Sequence, residues 1–169
     1  MSFDIWLDCY RKGKPSPFKR EVFEAIFLRF CSNPESYTKN PNFMQVQYRD
    51  GSQADIYMSN LNDEVLAEAR KKAGGLIPPE EVDDVLERAK GDPAFIQHVG
   101  FNHCGGAALF QGMYELAHRT GSIIHWPDDD PMFVYADETV LKELSSDFEE
   151  WRKRLVRSGA DIINAIETS

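Results

Sequence analysis

The chain lacks any apolar run near the roughly 18 residues that a membrane-spanning helix requires. Its start, MSFDIWLDCYRKGK, interrupts the only apolar stretch there with acids. Neither a spanning helix nor a secretory signal has that pattern, so a cytoplasmic protein is expected. Cysteine is scarce as well: Cys9, Cys31 and Cys104 are odd in number and widely spaced, with no C-x-x-C pair. That usage fits reduced thiols better than a disulfide framework, and it disfavours a finger-type zinc site. The motifs G-x-G-x-x-G, G-x-x-x-x-G-K-S/T and G-x-S-x-G are also missing. With them go the usual signatures of nucleotide binding and serine hydrolysis, and no cofactor is expected.

Positive charge is the scarcer sign, with 19 Lys or Arg against 28 Asp or Glu and a net charge of −9. Residues 1–43 hold seven bases and five acids, which leaves twelve against 23, or −11, in residues 44–169. Such a field repels phosphate backbones and anionic membrane surfaces, so nucleic acid and membrane are disfavoured as partners. It favours encounter with a basic protein, although acidity for solubility alone is the commoner cause. The acids expected to form a complementary patch are Asp128, Asp129 and Asp130 at a turn and Glu80, Glu81, Asp83 and Asp84 on a helix. The basic loop of Arg11, Lys12 and Lys14, with Lys19 and Arg20 after it, could hold an anion at a helix start but reads more simply as a solvated loop.

With 42% hydrophobic and 12% aromatic residues, the 169 residues can bury one core, and residues 1–169 are expected to form a single domain. In FDIWL, Phe3, Ile5 and Leu7 alternate with Asp4 and Trp6, the period of a half-buried strand. Ser16 and Pro17 open a helix that carries Phe23, Ile26 and Phe27 on one face, followed by a long loop, SNPESYTKNPNF. Two hairpins follow from MQVQY-RDGS-QADIYM and from SIIHW-PDDDP-MFVYA. Helices are expected after a cap at Asn62 or Asp63, after Pro78, briefly after Asp92-Pro93, and over residues 105–119. From Asp137 onward, Leu141, Leu144, Phe148, Trp151 and Leu155 step at helical spacing, which predicts a long C-terminal helix interrupted near Ser158-Gly159. The expected fold is α+β: about five mostly antiparallel strands, made of the first strand and two hairpins, with helices packed on one face. The apolar stripe of the long terminal helix is also a candidate homodimer contact.

The stretch FNHCGGAALF is the sharpest candidate for chemistry. A cysteine in the first turn of a helix has a lowered pKa, and His103 or His125 could hold Cys104 as a thiolate. That arrangement resembles the papain-like hydrolases over HCGGAALF and the downstream His125. It implies a cysteine-dependent hydrolase or acyl-transfer enzyme with Cys104 as nucleophile and His125 as base. The competing reading is packing, with Asn102 capping a helix whose small first turn approaches the sheet closely. A metal site built from His98, His103, Cys104 and His125 lacks helical pair spacing, and none is expected.

The opening SFDIWLDCYRKGKPSPFKREVFEAIF and the late GSIIHWPDDDPMFVYAD resemble a loose group of small bacterial proteins suspected to be immunity proteins. The shared features are structural: an F-D-I-x-L strand, a short Gly loop, a helix opened by Phe and Arg, and a hairpin with Trp-Pro. The resemblance implies a non-enzymatic binding protein that neutralises a toxin, and it carries over no catalytic residue. Together with the acidic composition, it makes an immunity-type inhibitor the leading expectation and the thiol enzyme the alternative.

Overall fold

Along the first strand, β1 (Ile5–Arg11), Ile5, Leu7 and Cys9 are buried on one face while Trp6, Asp8 and Tyr10 point to the other. The structure is a computed structural model that describes residues 4–169, so Phe3, expected at the head of this strand, lies outside the described residues. The chain continues through β2 (Lys14–Pro15), β3 (Phe18–Lys19), α1 (Arg20–Phe27), α2 (Pro34–Lys39), β4 (Phe43–Gln47) and β5 (Gln53–Ser59). After these come α3 (Asp63–Lys72), α4 (Pro79–Ala89), β6 (Phe95–Ile96), β7 (His98–Gly105), α5 (Ala107–Thr120), β8 (Ser122–Trp126) and β9 (Met132–Tyr135). Two 3₁₀ turns, Glu138–Glu143 and Ser146–Phe148, lead into β10 (Arg152–Leu155) and α6 (Gly159–Glu167).

The main sheet runs β10-β9-β8-β1-β7-β5-β4, with β2 hairpinned onto β1 as an eighth strand; β3 and β6 pair separately. Every pairing is antiparallel except β10 on β9. Helices α1, α5 and α6 bring Phe23, Phe27, Leu109, Met113, Leu116 and Ile162 into one cluster with Ile5, Leu7, Ile56, Val99, Phe101 and Ile124 of the sheet. On the opposite face one end is covered by a second cluster. There the turns after Asp137 pack Val140 and Phe148 on Ile123 and Phe133, with Trp151 beside them. None of the helices among the described residues is long and apolar enough to cross a membrane.

The α+β class, the mainly antiparallel pairing, the internal first strand and both hairpins match expectation, but the strand count and the long C-terminal helix do not. Ten strands replace the expected five, and the terminal helix is only Gly159–Glu167. Local hydrogen bonds explain the latter. The Asp137 side chain accepts from the Thr139 amide and Ser145 from the Asp147 amide, so each starts a short turn instead of continuing a helix. Residues 152–155 then find a sheet edge and pair in parallel with Met132–Tyr135. The stripe expected on a helix is thereby spread over turns and a strand, and most of it packs within the chain.

β6 stands where the short helix after Asp92-Pro93 is expected, and β7 replaces the expected cap at Asn102. Its two glycines give it a poor strand propensity, but β1 and β5 pair on both sides of it, and that context decides. Helix α1 starts later than Pro17 because Phe18 and Lys19 pair with Ile96 and Phe95. Arg20 is buried rather than solvated, donating from Nε to the Pro93 carbonyl at 2.7 Å and from its guanidinium to the Pro41 carbonyl.

Close approach does govern the stretch after Cys104, at Gly106. Its φ is +97°, and a Cβ there would lie 1.9 Å from Ser52 Oγ and 2.8 Å from Ser52 Cα, whereas Gly105 has nothing within 4 Å. Gly106→Ala should therefore cost about 1–3 kcal/mol of unfolding free energy, and Gly105→Ala no more than about 0.5 kcal/mol. Urea denaturation of the two variants checks this, and equal losses would contradict the close approach at Gly106.

Candidate binding face

Directly opposed residues on neighbouring strands form rows across a sheet, and their side chains interact along the row. One row on the face away from α1 and α5 crosses six strands. Phe43 stands opposite Tyr57 and Tyr57 opposite Gly100. Gly100 in turn faces Trp6, Trp6 faces His125, and His125 faces Phe133. Ring centroids are 4.9 Å apart for Phe43 and Tyr57 and 5.6 Å for Trp6 and His125, and Trp151 meets His125 edge-on at 5.8 Å. Trp6 and Tyr57 remain 37% and 48% exposed. Between them Gly100 has no side chain, and the edge of Trp6 lies over it, 3.6 Å from where a Cβ would stand.

A polar row lies one step along the strands. Gln45 faces Asp55 and Asp55 faces Asn102. The Asn102 amide, oriented with its nitrogen toward β1, donates to Asp4 Oδ1 at 2.8 Å. Gln45 Nε2 donates to Asp55 Oδ1 at 2.9 Å, and His103 Nδ1 meets Asp55 Oδ2 at 3.2 Å. Among the described residues, neither Asp4 nor Asp55 is paired with a lysine or arginine.

On the other side of the aromatic row, Asp8 is buried and lies opposite His98 and Ile123. Its Oδ2 takes a hydrogen bond from His125 Nε2 at 2.6 Å, and its Oδ1 takes one from His98 Nδ1. Burial pushes the Asp8 carboxyl up, but the hydrogen bonds from His125 and His98 and their charges more than offset it and hold it at about 2. The same contact with Asp8 outweighs desolvation at His98 and raises its pKa. Gln97 Nε2 donates to Asp63 Oδ2 at 2.9 Å and faces His98 Nε2 at 3.2 Å, which fixes the outer nitrogen of that ring. One carboxylate thus orients both histidines, and His125 sets the ring on which Trp6 rests.

The structure does not bring Cys104 and His125 together. Cys104 lies on β7 instead of a helix and packs toward the main core, while His125 lies on the other face, with β1 between the two strands. Four residues along β7 and two strand spacings put them on the order of 15 Å apart. Burial raises the Cys104 thiol, the reverse of an activated nucleophile. His103 is exposed and turned to Asp55 by a backbone with φ of 50°. No group of three or more His, Cys, Asp or Glu among the described residues is placed to hold a metal.

The acids expected as a patch fall on two separate elements. Asp128, Asp129 and Asp130 form the β8–β9 turn, where Arg152 pairs with Asp130 at 2.7 Å and lies 3.8 Å from Asp128. Glu80, Glu81, Asp83 and Asp84 lie on α4, and Asp84 pairs with Arg88 at 3.4 Å. Asp8 and Tyr57 are not among the residues the sequence points to; Trp6 enters there only through strand alternation, and His98 only in a metal site that is not expected. Alternation in FDIWLDCY does put Trp6 and Asp8 on one side of a strand, but the partners that complete the rows are set by register alone. No protein-family model, curated protein or solved structure matches the chain.

The linkage between Asp8 and His98 has a definite sign. The Asp8 contribution is present above its ordinary value of 3.8 and is lost as pH falls toward about 2. The His98 contribution is present below its ordinary value of 6.5 and is lost as pH rises through its raised value. Asp8→Asn should therefore destabilise most between pH 3.8 and 6.5, by about 2 kcal/mol, with the gap narrowing on either side. Urea titrations across pH measure it; a gap that does not vary with pH would show that the charges at Asp8 contribute nothing.

Proposed function

We propose that the chain is a non-enzymatic binding protein of the immunity type, acting in the cytoplasm to inhibit a basic toxin by docking through the open face of its sheet. The observation that carries this reading is the single-register row in which Trp6 and Tyr57 face solvent one step from Asp4 and Asp55. Exposed aromatics that cluster on one face mark protein contact sites and dominate binding energy when covered. Flanking carboxylates complement a basic partner and speed encounter. The acids at the β8–β9 turn and on α4 add to the long-range field more than to the contact, since several are already paired with arginine. The thiol-enzyme alternative needs Cys104 and His125 within hydrogen-bond reach, and their placement on opposite sheet faces gives it no support.

Trp6→Ala should weaken binding to the toxin that the chain inhibits by roughly 30-fold, while Cys104→Ser leaves binding unchanged. Isothermal titration at low and high salt tests this, alongside survival of toxin-expressing cells that carry each variant. Full protection by Trp6→Ala, or failure of the wild-type chain to protect at all, would defeat the reading.

A further inference from the structure

We infer that the open face recognises an arginine side chain of its partner, seated over Trp6 and Tyr57 and held by Asp4 and Asp55. This inference rests on the reading of the chain as a binder of a basic protein. It names the chemistry that this face would select.

Three features of the face converge on a guanidinium. The first is aromatic surface: Trp6 and Tyr57 are both solvent-exposed in one row, and the edge of Trp6 leans over Gly100 between them, so no side chain of the middle position itself stands between a flat group and the two rings. The second is charge. Asp4 precedes Trp6 by two residues and Asp55 precedes Tyr57 by two, so each carboxylate stands about 7 Å along its strand from the ring beside it. The third is that these carboxylates are met only by Asn102, Gln45 and His103, so their charge is not cancelled by a lysine or arginine among the described residues. Among the described residues, the lysine in register with this row, Lys153 opposite Phe133, stands at its far end.

A cation over an indole or phenol ring is attracted by the ring's quadrupole, and a neighbouring carboxylate adds charge-assisted hydrogen bonds. Arginine satisfies both demands at once, because its planar fork stacks on a ring while its edge donates to carboxylates; the ammonium of lysine is compact and more strongly hydrated. Sheet faces with exposed aromatic residues also stack nucleic-acid bases. Here the acidic row would repel the phosphates that accompany those bases.

The probes are short capped peptides with one central arginine, citrulline or lysine, titrated into the full chain. The indole N–H resonance of Trp6 is followed, assigned by its loss in Trp6→Phe. The arginine peptide should move this resonance and the amides of Asp4 and Asp55, and salt should weaken the effect. Citrulline, which keeps the shape and loses the charge, should bind at least about fivefold more weakly, with lysine in between. Asp4→Asn/Asp55→Asn should abolish the salt dependence and the preference for arginine over citrulline, with an unchanged unfolding midpoint as the check on folding. Equal binding of arginine and citrulline would overturn the inference, and this arm needs no variant. So would arginine-induced shifts confined to α4 and the β8–β9 turn, or a neutral oligosaccharide moving Trp6 where arginine does not. If any of these occurs while the toxin complex persists and still depends on Trp6, only the arginine inference falls. If arginine selectivity holds but no protection or toxin complex is found, the immunity-type reading falls and the arginine site stands.

Discussion

The buried carboxylate of Asp8 is the constraint on which the open face depends. Asp8 lies in the strand between β7 and β8 and accepts from a histidine on each, so one side chain ties three adjacent strands on the face opposite α1, α5 and α6. Hydrophobic packing holds the other face, where Ile5, Leu7, Val99, Phe101 and Ile124 meet three helices. On the open face such a layer is confined to the end where Val140 and Phe148 pack on Ile123 and Phe133, and beside it polar cross-strand bonds fix the side-chain positions. Buried ionic groups of this kind add less net stability than apolar replacements can, but leaving one partner unmatched is costly. That asymmetry gives a fixed orientation to His125 and to the Trp6 ring beside it.

The open face therefore combines features that rarely serve packing. A sheet covered on only one side ordinarily presents polar residues to solvent. Here Trp6 and Tyr57 occupy two such positions, and both lie in the one register that also contains Phe43 and His125. Scattered exposed apolar residues are ordinary and ask for no explanation. Their alignment beside two carboxylates that, among the described residues, have no lysine or arginine partner is what separates this face from the exposures at Leu28 and Leu76.

Local signals in the sequence were read correctly where short-range chemistry decides. The Asp50-Gly51 turn, the Asn62 cap and the alternation of Ile5 and Leu7 each specify their own element, and each is found. The readings fail where a distant strand overrides a local pattern. Residues 98–105 become a strand because β1 and β5 flank them, and residues 152–155 do so because the edge of β9 is available. The candidate site was hidden for the same reason. Cys104 and His125 attract notice by residue type and nearness in sequence, yet β1 separates their strands. Asp8 and His98 are 90 residues apart in the chain and directly opposed in the sheet.

The edge strand β10 has a further consequence. Its Arg152, Lys153 and Arg154 are exposed at the end of the sheet, in a chain otherwise dominated by acids. A free sheet edge is a template on which another copy can add a strand, and consecutive like charges oppose that pairing. Arg152 is offset by Asp130, but two such edges brought side by side would still set Lys153 and Arg154 of each against the other, so the molecule is guarded against end-to-end ribbon growth at this edge.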